Sequence, residues 1–468
     1  MARILHTRAG KLDRSLQLRP KAKVNPYRLL LWVVLILGGI WLLRGVNRGQ
    51  VKSPFMPTPT PTRMAQSYIL QAEAYFAAGK LDDPASESDA IKSYKKALEV
   101  DPTNGRVMAE LARIQTYSSK FLSTDQERLA RLQEARDNIR KAAELSPDDS
   151  MVQAIEAFVL DWNASSNLIT VDESEAYLIE AEAAANRAYL LDPQNSLALA
   201  FYAEVLLDQQ KWDQALEYAR QAVERDPNSM DAHRVYATVL ETVRQYRDAI
   251  AEYKRASEIA PNLTFLLLQI GLGYRNLATY PTDPNYDTAL YYFDQAAQIN
   301  KQLGVKDPTP YIAIAKTYTQ QGEFFMASRN AETALALGPE NSDTYGQLGM
   351  IYVQARNYES ALPALRCAVE GCTAQENTTA VEFVDQGLLT ESVAVKPLAL
   401  TNLTVAYYYI RYGSVLAYLS DSTNGYCQKS NELMAKLRAF RPDDELLMRN
   451  VEDNEATCVM LSTGSQNP

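Results

Sequence analysis

The sequence predicts an all-α protein, a solenoid of stacked helix pairs preceded by one membrane-spanning helix. Three observations carry this. Pro193, Pro227 and Pro261 stand 34 residues apart, each just after a helical run. Alanine, tyrosine and leucine recur at helical spacing between them. Near the N-terminus, Leu29 to Leu43 is one uncharged apolar run.

The chain has 468 residues, 22% of them charged, so it can bury a large core. Its net charge of -10 is uneven. Residues 1–63 carry twelve Lys/Arg and one acid, Asp13; taking that +11 from -10 leaves about -21 on the remainder. The body shows no basic stripe, which argues against nucleic acid as a partner.

The run 29–43 is read as a transmembrane helix. It is short of the ~20 apolar residues a span needs, but Arg28 and Arg44 can snorkel outward, and Tyr27, Trp32 and Trp41 suit the interfaces. No small-residue cleavage site follows, so an uncleaved anchor is expected. Basic residues are in excess in the tail 1–28, from Arg3 to Arg28, over Arg44, Arg48 and Lys52 beyond the run. That places the tail in the cytoplasm and the body outside. Residues 44–64 contain "PTPTPT", which favours extended polyproline II and reads as a stalk.

From residue 65 to 442 a repeat is legible. Pro102, Pro147 and Pro339 continue the proline series, and proline both ends a helix and starts the next turn. In the unit from Ser342, Tyr345, Leu348, Gly349 and Tyr352 share one face of a first helix, A. Tyr358, Ala361 and Leu365 share a face of a second, B. Small Gly349 and Ala361 let the two approach. Further units carry Ala203, Ala215 and Ala222; Ala237, Ala249 and Ala256; Gly271, Ala289 and Phe293; and Ala315, Ala327 and Ala334.

This pattern resembles the tetratricopeptide repeat, with Tyr345 where the repeat has tryptophan. The resemblance implies a right-handed superhelix of about eight to nine helix pairs. Insertions such as "LDDPASES" and "TYPTDPNY" fall between helices A and B. Residues 376–402 fit no unit. Residues 443–460 read as a capping helix opened by Asp443 or Asp444.

Four cysteines allow three connectivities, and spacing does not choose among them or against four thiols. The repeat resemblance implies a choice. Helix B lies antiparallel to the A helix that follows, which brings Cys427 to Cys458 and leaves Cys367 and Cys372 as a local pair. An extracytoplasmic body favours both bridges. No C-x-x-C pair or neighbouring histidine suggests a metal.

The chain has two histidines, His6 and His233, and no Gly-rich phosphate loop with its lysine. No catalytic constellation is legible, no cofactor or small-molecule substrate is expected, and the chain reads as a non-enzyme. Asn163, Asn262, Asn377 and Asn402 head glycosylation triplets that arise often by chance.

The resemblance implies a concave groove lined by A helices that holds a protein or peptide. Its positions here include Leu197, Ala200, Glu204, Asp208, Arg234, Thr238, Glu241, Phe265, Leu268, Leu272, Arg275, Ile312, Lys316, Gln320, Gly346, Met350 and Gln354. The family's lysine/asparagine carboxylate clamp is not matched at Ala200/Glu204, Arg234/Thr238 or Ile312/Lys316. Instead Phe265, Leu268 and Leu272 stand among Arg234, Arg275 and Lys316, which suits an apolar segment bearing acids. A membrane-anchored adaptor is expected, with a structural assembly factor of an envelope complex, of secretion or pilus type, as the alternative.

Overall fold

The computed structural model describes residues 25–47, 64–83, 86–122, 125–166, 168–421 and 423–464. The chain divides into two units, Met1–Thr62 and Arg63–Pro468. The expected tail up to residue 24 and stalk residues 48–63 lie outside the described residues.

The first unit contains helix α1 (Pro26–Asn47). Its stretch Pro26–Gly45 has a mean hydropathy of 1.9, and none of its described residues is buried. At ~1.5 Å rise per residue it reaches about 30 Å, the thickness of a bilayer core. By length and composition α1 can cross a membrane. It runs past the expected 29–43 at both ends, because Tyr27, Arg28 and Arg44 continue the helix.

Among the described residues the second unit is all-helical. Nine pairs follow in order: α2 (Ala65–Ala77) with α3 (Ala90–Val100), α4 (Gly105–Ser118) with α5 (Asp125–Leu145), and α6 (Ser150–Ala164) with α7 (Val171–Leu191). Next come α8 (Ser196–Asp208) with α9 (Trp212–Arg225), α10 (Met230–Thr242) with α11 (Tyr246–Ile259), and α12 (Thr264–Leu277) with α13 (Pro284–Leu303). Then α14 (Thr309–Gln321) pairs with α15 (Phe324–Leu337), and α16 (Ser342–Gln354) with α17 (Tyr358–Glu370). After a short α18 (Thr378–Asp385), α19 (Leu403–Tyr418) pairs with α20 (Tyr426–Phe440), and α21 (Glu445–Gly464) closes the array.

The proline phrase has a second job beyond stopping helix B. Two residues after most of these prolines stands the N-cap of the next helix A. Asn104 accepts from Val107 N–H, Asp149 from Met151, Asn195 from Leu197 and Ser229 from Ala232. Asn341 and Asp444 do the same before α16 and α21. Each cap satisfies a donor the helix start leaves open, worth about 1 kcal/mol.

Within a pair, small residues set the spacing. A Cβ on Gly349 of α16 would come within 2.5 Å of Leu365 on α17. Such close packing carries one continuous core from Ala72 to Ala296 and a second from Ala315 to Val451. Tyrosines fill much of it, and buried hydroxyls find partners: Tyr352 donates to Glu332 at 3.0 Å and Tyr408 to Asp343 at 2.8 Å.

The irregular region is an excursion that folds back on the array. Gly371 takes a left-handed φ of 76°, ending α17. Cys372 and Val395 exchange backbone hydrogen bonds at 2.9 and 2.8 Å. Buried Asn377 donates to Tyr345 Oη at 2.8 Å, tying the excursion to α16. Cys367 is bonded to Cys372 and Cys427 to Cys458. The second bridge joins the start of α20 to α21, so helices B and A do lie antiparallel there.

The two bridges span 31 and 5 residues of sequence. Loop-closure entropy assigns about 3–4 kcal/mol to the longer and about 2 kcal/mol to the shorter. Cys427→Ser should therefore cost α20 and α21 more amide hydrogen-exchange protection than Cys367→Ser costs α17. Amides of α8 should keep theirs, because α8 lies in the first core and the cap in the second; equal loss in α8 would show one cooperative body instead.

Candidate functional site

The A helices face inward, and in the first six pairs their inner faces meet one another. Tyr117 on α4 stacks on Phe265 of α12, with centroids 5.5 Å apart and planes 13° from parallel. Arg113 on α4 donates to Asp231 on α10 at 2.7 Å. The end of α2 touches the turn into the sixth pair: Asn262 Nδ2 donates to Ala77 O at 3.2 Å. The superhelical turn thus closes on itself, and side chains fill its interior.

Arg234 is the hub of that interior. It is 5% exposed. Its guanidinium holds both oxygens of Glu204 at 2.7 Å, and its Nε donates to Tyr117 Oη at 3.1 Å. It also lies over the rings of Tyr117, Phe158 and Trp162. Tyr117 in turn donates to Asp231. Burial works against the Arg234 charge, yet Glu204 and Asp231 hold its pKa well above the ordinary value. Arg234, Glu204 and Phe265, expected along an accessible groove, are therefore committed to one another. Glu241 is half-buried beside them and accepts from Tyr253 Oη at 3.2 Å.

Two acids lie close by without such partners. Asp161 is 3% exposed, and its Oδ1 has no hydrogen-bond partner in the structure. Burial raises its pKa first, and Asp208 and Glu204 add to that while Arg234 opposes it. Asp208 is raised by burial too, against a hydrogen bond donated by Ser165.

Further along, the inner faces of α12, α14 and α16 form a different surface. Leu268 and Leu272 pack half-buried against a cluster of Ala289, Phe293, Ala313 and Ile314. Arg275 donates to Ala313 O at 3.4 Å and lies over Phe293 at 5.9 Å. Burial holds its pKa below the ordinary value. Lys316 is also held low, by burial and by Arg275, with Asp343 opposing. Neither cation has a carboxylate within ion-pair distance among the described residues. Ile312 shares the inner face of α14 with Lys316, and Met350 lies half-buried on α16. At the far end Tyr408 of α19 covers Gly346, so that groove position is closed.

The remaining candidates resolve simply. His233 is buried, with Nδ1 2.5 Å from Glu252 and Nε2 3.0 Å from Pro227 O. Asn163 and Asn377 are fully buried, so they cannot take glycan, and Asn402 is the exposed one. No cluster of metal-ligating side chains is present among the described residues. Sequence reading missed Arg113, Tyr117, Asp231 and Asp161. The one signal was their 3/4 spacing, Glu110–Arg113–Tyr117 and Asp231–Arg234–Thr238, which marks a shared helix face but not what it meets.

Residues 176–256, from α7 into α11, match the family model of anaphase-promoting complex, cyclosome, subunit 3. The fold is a tetratricopeptide-type solenoid. Among solved structures, the chain is similar to a tetratricopeptide repeat protein from Parabacteroides merdae ATCC 43184, at 16% identity and TM-score 0.40. That match covers 64% of this chain and 98% of the other. Yeast Tom70 matches at 18% identity and TM-score 0.41, over 79% of this chain and 76% of its own. YrrB, described as having an unusual peptide-binding site, matches at 18% and 0.31, over 39% and 90%. No curated protein matches.

Two outcomes test the interior. Arg234→Met strands Glu204, and chemical denaturation should show a loss of about 3–5 kcal/mol. Asp161 behaves differently. Its folded pKa lies above its unfolded value, so between the two the folded state holds the extra proton and stability falls as pH rises. Asp161→Asn should therefore gain stability relative to wild type at pH 8 but not at pH 4; a constant difference across that range would contradict the assignment.

Proposed function

We propose that this chain is a membrane-anchored, non-catalytic scaffold that holds a protein or peptide along the inner faces of α12, α14 and α16. The observation that carries it is the pair Arg275 and Lys316. Arg275 is half-buried and its neighbour Lys316 is exposed beside it, and a half-buried cation without a carboxylate is costly unless an anion completes it. The charges of the closed interior, by contrast, are largely paired within the chain. Leu268, Leu272 and Ile312 flank the cations, so the partner segment combines apolar residues with at least one acid. Met350 extends the apolar strip, while Arg234, Glu241 and Phe265 act behind it as structure.

Helix α1 supplies the anchor. The excess of basic residues before it supports a cytoplasmic N-terminus with the repeat body outside. Both disulfides fit that oxidising side.

A second reading is a structural assembly factor of an envelope complex, of secretion or pilus type. It is favoured by the cap, where α21 turns Leu446 and Val459 outward at 57% and 60% exposure. In that role the cap would be the contact and the inner bay would be secondary.

Fluorescence anisotropy with the full-length chain in detergent micelles separates the two. The probes are a labelled leucine-rich peptide carrying two glutamates and the same peptide with glutamines. Arg275→Glu should weaken binding of the acidic peptide at least tenfold, and the glutamine peptide should bind as weakly to wild type. Leu446→Glu should leave both unchanged. Indifference to Arg275→Glu would move the function to the cap.

A further inference from the structure

A second site lies on another side of α12, between the B helices α11 and α13. A cavity of about 390 Å³ opens there, floored by Ile250 and Ala251 of α11 and Leu277 of α12 and edged by Arg247, Lys254, Tyr274 and Asn285. That volume is at the small end of ligand pockets.

Its polar edge is built, not incidental. Lys254 Nζ donates to Tyr274 Oη at 2.9 Å. The Tyr274 and Tyr292 rings stack 5.8 Å apart and 9° from parallel. The ammonium sits 5.2 and 5.5 Å from their centroids, so it is held in one place. The hydrogen bond to Tyr274 keeps Lys254 above its ordinary pKa against its partial burial, so it is charged at neutral pH. Arg247 stands one helical turn before Ile250's neighbour Ala251, exposed at the rim, with no ion pair among the described residues. The Asp283 carboxylate, which accepts from Thr279 and from the Asn285 N–H, forms no ion pair with Arg247 or Lys254 among the described residues.

We propose that this cleft binds a carboxylate carried on a short aliphatic body. The planar guanidinium of Arg247 offers two parallel donors to a carboxylate, and the fixed Lys254 ammonium adds a third. Ile250, Ala251 and Leu277 take the aliphatic part. A small molecule and a free chain end present the same group, and the ligands below tell the two apart. The inference does not rest on the bay of α12, α14 and α16, because Arg275 does not line this cavity.

Isothermal titration calorimetry of the full-length chain in detergent micelles at pH 7 tests it. The ligands are N-acetyl-L-leucine, its amide, a leucine-ended pentapeptide and the amide of that peptide. At least one acid should bind saturably, and its amide at least tenfold more weakly. Arg247→Gln and Lys254→Gln should each weaken the acid at least tenfold, while Arg275→Gln leaves it unchanged. Arg247 is at the surface, so its replacement does not threaten folding, and far-ultraviolet dichroism checks Lys254→Gln. Binding of the small acid alone assigns a small molecule, and binding of the peptide acid alone assigns a chain end; either upholds the site. Equal binding of acid and amide, indifference to both substitutions, or no saturation by about 10 mM would overturn it.

Discussion

The buried pairing of Arg234 with Glu204 holds the rest of the array to its curvature. Removing a guanidinium and a carboxylate from water costs several kcal/mol each, and only tight geometry with further hydrogen bonds recovers that. Here both conditions are met. The pair is bidentate, Tyr117 takes the remaining Nε donor, and aromatic faces surround the guanidinium. Tyr117 comes from α4, Glu204 from α8 and Arg234 from α10, so the contact can form only when these A helices curve round to meet. Asp231 and Arg113 close the same circuit from α10 back to α4. A straight stack would leave each of these charges in an open groove or buried alone.

That closure divides the inner surface by chemistry. In the first six pairs the inner face is occupied by its own side chains, with stacked aromatics sealing the space between helices. Beyond them the curvature no longer brings opposite helices together, and Arg275 and Lys316 are left to find their counter-charge elsewhere. The same helix α12 serves both regions: Phe265 near its start is stacked into the interior, and Arg275 near its end is not. The change of role within one helix follows from the side each residue presents and from which neighbour reaches it.

Much of the fold was legible in the sequence because it is local. Proline after each B helix and glycine or alanine at helix crossings each act within one unit, so Pro193, Gly349 and Ala361 could be read in place. The Cys427–Cys458 pair followed from one antiparallel neighbour relation. The site was less legible. Ring closure joins Arg113 to Asp231 and Tyr117 to Phe265 across more than a hundred residues, through a superhelical curvature that no single unit encodes. Arg234 and Phe265 therefore looked like groove residues, since their helical position is the same in an open array and a closed one. The cleft at Lys254 was invisible for a related reason, since it depends on how Tyr274 and Tyr292 from successive helices stack.

The central claim is that a partner lies on α12, α14 and α16 while the interior of the first six pairs stays closed. Hydrogen–deuterium exchange of the full-length chain, with and without the acidic leucine-rich peptide, tests it most directly. The account predicts slowed exchange in α12, α14 and α16 on binding, with α4, α6 and α8 already slow and unchanged. Peptide-dependent protection in α4, α6 and α8, with none in α14 and α16, would contradict it and place the partner inside the closed turn.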